Sequence, residues 1–177
     1  MAMAIGRLFY LGPKLDELHQ HYAKRGRIDT RAQAVAHCVV RIEAPVGRVW
    51  ELLADIPSWP GWGDTVRAAE APEGVAVDAP FTWDNQGSKI ASRVAVLTPE
   101  QEITWTGVEA ATRARAVHRL RLEARDGGTV VIAEESIAGL LLPLFFTSEK
   151  LRQGMERWMS ELKSAAESRP RVGVSRR

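Results

Sequence analysis

His118 lies in the run "ARAVHRLRLEA", whose side chains alternate with period two. Ala114, Ala116, His118, Leu120, Leu122 and Ala124 share one parity, while Arg113, Arg115, Val117, Arg119, Arg121 and Glu123 share the other. A half-buried strand must turn the first set inward and leave the arginines as a solvated outer stripe, paired with acids across strands. His118 is then the one polar group on an apolar face. An imidazole in that position can exchange a proton near neutral pH, and a neighbouring carboxylate would orient it and raise its basicity. Desolvation acts in the opposite direction. The nearest acids in the next strand-like run, "GTVVIAEESIA", are Glu134 and Glu135, and their opposite parities leave the inward one open. The plainer alternative is that histidine and carboxylate satisfy each other and fix strand register. One His with one Glu supplies too few ligands for a metal, and His19 and His21 stand two apart on an expected helix, so no metal and no cofactor are expected. Cys38 is the single cysteine, which leaves no internal disulfide and fits a reducing cytoplasm.

These residues need elements to place them. "PKLDELHQHYAKR", residues 13–25, starts on proline and spaces Leu15, Leu18 and Tyr22 as a short helix does. "AHCVVRIEAP" alternates as a strand, and Val46, Val49, Trp50 and Leu53 then form a one-sided helical stripe. From Thr65 to Gly139 the period is two, broken by turn residues, which predicts six antiparallel strands at about 65–71, 76–84, 88–97, 102–108, 113–125 and 128–138. Leu151, Met155, Trp158 and Leu162 mark one face of a long helix from about Thr147 to Glu167. A sheet with one apolar face has to cover it, and only this last helix is long enough.

Bulk properties exclude several classes. A chain of 177 residues can bury a core as one body without disulfides. The formal charge is +2, yet residues 1–33 hold six basic and three acidic residues, and residues 169–177 hold four arginines and no acid. The remainder carries 14 basic and 19 acidic residues. A body with that balance lacks the basic face of a nucleic-acid binder. No apolar run is long enough to span a membrane, and "MAMAIGRLFYLG" lacks the charged start of a signal peptide, so a cytoplasmic protein without stable membrane insertion is expected. The tail "RPRVGVSRR" is expected to be disordered.

"IEAPVGRVWELLADIPSWPGWGDTV", "FTWDNQGSKIASRVAVLTPEQEITWTG", "AVHRLRLEARDGGTVVIAEESIAGLL" and the closing helix together resemble the polyketide cyclase/dehydrase branch of the START-related, birch-pollen-allergen-like (SRPBCC) superfamily over about residues 36–167. The resemblance implies an α+β helix-grip fold: a curved seven-stranded antiparallel sheet around a long C-terminal helix, with an elongated cavity between them. Three parts follow, an N-terminal helical extension (1–33), a ligand-binding domain (34–168) and the basic tail (169–177). The extension has no counterpart in the family pattern and is the expected contact for a second copy or a biosynthetic partner. Thr129, Glu135 and Gly139 match a family pattern in which the glutamate faces inward, and a hairpin at 126–128 then sets His118 opposite Glu135 or one diagonal step away.

On that reading His118 and Glu135 are the candidate catalytic pair. Trp62, Phe81, Trp83, Ser92, Trp105, Met155 and Trp158 are the candidate ligand contacts, an aromatic wall suited to a flat or polycyclic apolar molecule. The same side chains could instead fill the body outright. Trp59 and Trp62, in "ADIPSWPGWGDTV", are expected to plug one end of the grip, and each could contribute about 4–6 kcal/mol gross on burial. "GLLLPLFF", residues 139–146, is part core and part entrance. The implied function is cyclisation or dehydration of a ketone-bearing or polycyclic intermediate. The alternatives are a noncatalytic carrier or sensor of a lipid or quinone, and an interaction module worked by the N-terminal helix.

Overall fold

The period-two runs form one antiparallel sheet. The computed structural model describes residues 8–168, and the expected basic tail lies outside them. The strands are β1 (Ala34–Ile42), β2 (Val66–Glu70), β3 (Pro80–Asn85), β4 (Ser88–Thr98), β5 (Glu102–Glu109), β6 (Arg115–Arg125) and β7 (Gly128–Ala138). Their order is β1-β7-β6-β5-β4-β3-β2, so β1 closes the edge of a six-stranded meander. Two strands start later than the alternation predicts. Asp78 (φ 68°) and Arg113 (φ 61°) take left-handed backbone conformations that no strand can contain, so β3 begins at Pro80 and β6 at Arg115. Register shifts at Val66/Ala68 on β2 and Val94/Val96 on β4 bend those strands and deepen the curl.

The concave face is covered from within the chain. α1 (Leu15–Glu17) continues as a π-turn over Leu18–Tyr22 and a 3-10 turn over Ala23–Arg25. α2 (Val46–Ala54) buries Val49 and Leu53, and a 3-10 turn over Ile56–Gly61 follows it. α3 (Ser148–Glu167) buries Leu151, Met155, Trp158, Met159, Leu162 and Ala166, and Thr147 caps it by accepting the Lys150 N–H at 3.3 Å. α2, the Ile56–Gly61 turn and α3 all pack into the sheet's hollow.

Trp59 is the hub of that core. It is buried, its Nε1 donates to the Leu53 carbonyl at 3.1 Å, and its ring meets Phe81, Trp83, Trp105 and Trp158 at centroid distances of 5.2 to 5.9 Å. The plug expected of Trp59 is therefore central, while half-buried Trp62 lies against one side of Trp158.

The convex face is also covered, which the alternation did not anticipate. Leu18 and Ala23, with Tyr22 and Ile28 beside them, pack on Ala95 of β4 and Val117 of β6. The arginine stripe is consequently only partly solvated. Arg115 donates to the Pro13 carbonyl at 3.0 Å, and Arg119 joins Glu102 at 2.8 Å and Glu134 at 3.2 Å with its side chain only 18% exposed. The pairing with acids is as expected; the solvation is corrected by residues that read as a helical extension toward a partner.

Candidate functional site

Three strands bring the candidate chemistry into one row. Trp105 on β5 is the cross-strand partner of His118 on β6, and His118 is the partner of Glu135 on β7. The β6–β7 hairpin fixes this register through Asp126 (φ 48°) and Gly127 (φ 76°), the paired left-handed conformations of a two-residue turn. Glu135 takes the inner parity together with Val131 and Ala133, which are fully buried, and Glu134 points outward to Arg119.

His118 is held by rings rather than by hydrogen bonds. Its imidazole lies parallel to Trp105, with centroids 4.5 Å apart and planes 4° from coplanar, and meets Trp158 edge-on at 5.5 Å. Nδ1 comes within 3.0 Å of Glu135 Oε2, close enough to pair yet not aligned as a hydrogen bond. Nε2 is buried and has no hydrogen-bond partner among the described residues. Trp158 Nε1 is a second buried, unpartnered donor beside it. Buried polar atoms are almost always paired, and both rings border the hollow, where a polar group of a ligand could pair with them.

A cavity of about 540 Å³ lies where they meet. Its origin is a gradient of side-chain size along the concave face. Ile103, Leu120, Leu122 and Val131 fill one end, whereas Gly107 on β5, Ala116 on β6 and Ala114 just before β6 stand toward the other, where the space opens. A Cβ on Gly107 would lie 2.9 Å from both Ile90 Cγ2 and Ser92 Oγ, so a larger residue there would have to displace those neighbours. The aromatic residues do not fill the body.

Of the residues singled out from the sequence, His118, Glu135, Trp83, Trp105, Met155 and Trp158 border the cavity. Trp62, Phe81 and Ser92 do not. Phe81 is packed edge-on against Trp59 and Trp105, Ser92 accepts the Trp83 Nε1–H at 3.1 Å, and Trp62 stacks on Trp158 at 5.9 Å. Each is a neighbour of a wall residue, one step behind the surface. Sequence reasoning missed the small residues that make the space, although Gly107, Ala114 and Ala116 stand at legible inward positions. Of the mouth, only Leu142, Phe145 and Phe146 from the apolar run were expected; the polar border of Gln86, Glu109, Lys150 and Arg157 was missed. Cys38 is buried, and burial pushes its thiol up to about 11, out of reach of thiolate chemistry. Among the described residues no three potential ligands gather as a metal site, and no helix is long and apolar enough to cross a membrane.

A curved antiparallel sheet gripping a C-terminal helix over a hollow with buried polar groups defines a helix-grip protein. Residues 33–167 match the family described as polyketide cyclase/dehydrase and lipid transport, and the chain belongs to it. That family is one of hydrophobic-ligand binding. No curated protein matches the chain in sequence. Among solved structures it is similar to hypothetical protein jhp0584 from Helicobacter pylori, at 14% identity and TM-score 0.69, over 78% of this chain and 91% of that one. It is similar to a START superfamily protein from Mycobacterium smegmatis, at 14% identity and TM-score 0.61, over 75% and 97%. It also resembles the di-domain ARO/CYC protein BexL from the BE-7585A biosynthetic pathway, at 18% identity and TM-score 0.61, over 77% of this chain and 50% of that one. These likenesses establish the fold.

Proposed function

We propose that the protein takes up a hydrophobic, ketone-bearing or polycyclic molecule and promotes its cyclisation or dehydration by proton transfer at His118. The observation that carries this reading is the unpartnered Nε2 of a buried imidazole, backed by Glu135 and bordering a cavity beside Trp83, Trp105, Met155 and Trp158. With the Nδ1 proton turned toward Glu135, Nε2 holds a lone pair for a proton beside a carbonyl. The face of Trp105 then stabilises the imidazolium formed, by cation–π attraction. Trp158 Nε1 supplies a donor for the carbonyl oxygen on which negative charge develops. The walls hold the ligand in a reactive shape and keep water out. The cyclase/dehydrase side of the family and the ARO/CYC likeness favour cyclase chemistry; its lipid-transport side favours a noncatalytic carrier.

Deuterium uptake at the carbon next to the carbonyl of 1-tetralone, followed by proton NMR in heavy water, separates the two. The wild type should accelerate exchange and His118→Gln should lose about a hundredfold or more. Glu135→Gln should lose less, and binding followed by tryptophan quenching should stay within about threefold in both, because neither change reshapes the walls. Saturable binding with no acceleration by the wild type contradicts the catalytic reading and leaves the carrier.

A further inference from the structure

α3 carries four cationic side chains, Lys150, Arg152, Arg157 and Lys163. Two are neutralised on the helix itself: Arg152 pairs with Glu149 and Glu156, and Lys163 pairs with Glu167 at 2.6 Å. The other two, Lys150 and Arg157, have no carboxylate partner among the described residues. Lys150 donates to the Phe145 carbonyl at 2.9 Å, and Arg157 reaches only Gln86 Oε1, at 3.5 Å. These two, and not the neutralised pair, border the cavity mouth. They stand seven residues apart, about 10 Å along the helix, on one edge.

Between them lies Gly154, also on the mouth, where an added Cβ would meet nothing within 4 Å. No close approach of sheet to helix demands a glycine there, and the position opens on the space between the two cations. Lys150 also sits in the first turn of α3, where the helix dipole adds positive potential. The opposing charge on the rim is Glu109, tied back by Thr112 through its N–H at 2.6 Å and its hydroxyl at 2.7 Å.

We propose that the ligand is amphipathic: an apolar body in the cavity and a carboxylate at the mouth, held between Lys150 and Arg157 across the Gly154 gap. This rests on the cavity being the ligand site and adds the ligand's charge. The pair 1-pyrenebutyrate and its methyl ester share the apolar body and differ by that charge and one methyl group, and tryptophan quenching reads the binding of each. The wild type should bind the acid about five- to tenfold more tightly than the ester, with a preference that shrinks as salt is raised. Lys150→Gln and Arg157→Gln should each weaken the acid by about two- to threefold and leave the ester unchanged, and the double variant should bind both alike. Equal affinity of the wild type for acid and ester overturns the proposal while the cavity reading stands. Failure of both probes to bind sinks the cavity reading and this inference together.

Discussion

Trp158 has two roles that one substitution can separate. Its ring completes the packing around Trp59, and its unpartnered Nε1 borders the cavity. Trp158→Phe keeps most of the ring and removes the donor. It should weaken binding of 1-tetralone by about two- to tenfold more than binding of naphthalene, which offers no acceptor, the excess being the worth of one hydrogen bond. Equal losses for both would assign Trp158 to packing alone. Glu102, on the outer face, sets an acid limit to stability. Burial works against its ionisation, but hydrogen bonds from Arg119 and Thr104 outweigh burial and hold its carboxyl below the usual 4.5. The stabilisation is complete above the unfolded value and is lost as pH falls from about 4.5 through the folded one. Urea midpoints measured down that range should fall less steeply in Glu102→Gln than in the wild type.

At the scale of elements, Gly154 costs α3 stability. Alanine should raise unfolding free energy by about 1 kcal/mol, because the position is helical and an added Cβ is unobstructed. The N-terminal segment is a structural cover. Leu18→Ala should cost about 2–5 kcal/mol in denaturant unfolding yet leave probe affinity unaltered, since Leu18 packs on the convex face away from the cavity. Its docking also depends on pH through His19, which is buried between Thr106 and Asp78 at 2.9 Å from each. Burial, opposed by Asp78, pushes this imidazole below its ordinary 6.5. The unfolded chain therefore takes up the proton first, and stability present above pH 6.5 declines as pH falls through the folded value. His19→Gln should flatten that decline in thermal unfolding.

For the whole molecule, alternation and helical spacing were enough to place seven strands, the long helix and the inward face of His118, because each of these is a local pattern imposed by one burial direction. The partner of His118 was legible only through family resemblance, since Glu134 and Glu135 differ in parity and nothing local chooses between them. The hollow was not legible. It opens where Gly107 meets Ala116 across strands, with Ala114 beside them, and a residue's smallness says nothing of what lies opposite until register is known. Trp62, Phe81 and Ser92 were placed one layer too far forward for the same reason: parity gives a face, not a depth. The docking of residues 8–33 escaped because a convex face lined with arginines reads as a solvated one.

The central claim is that a ligand enters this hollow and meets the imidazole of His118. Nitrogen-15 NMR of the four histidines, with His118→Gln used to assign its signals, tests this most directly during titration with 1-tetralone. The His118 ring signals should move saturably while those of His19, His21 and His37 stay in place. Saturable binding of the ketone with His118 unmoved would contradict the account.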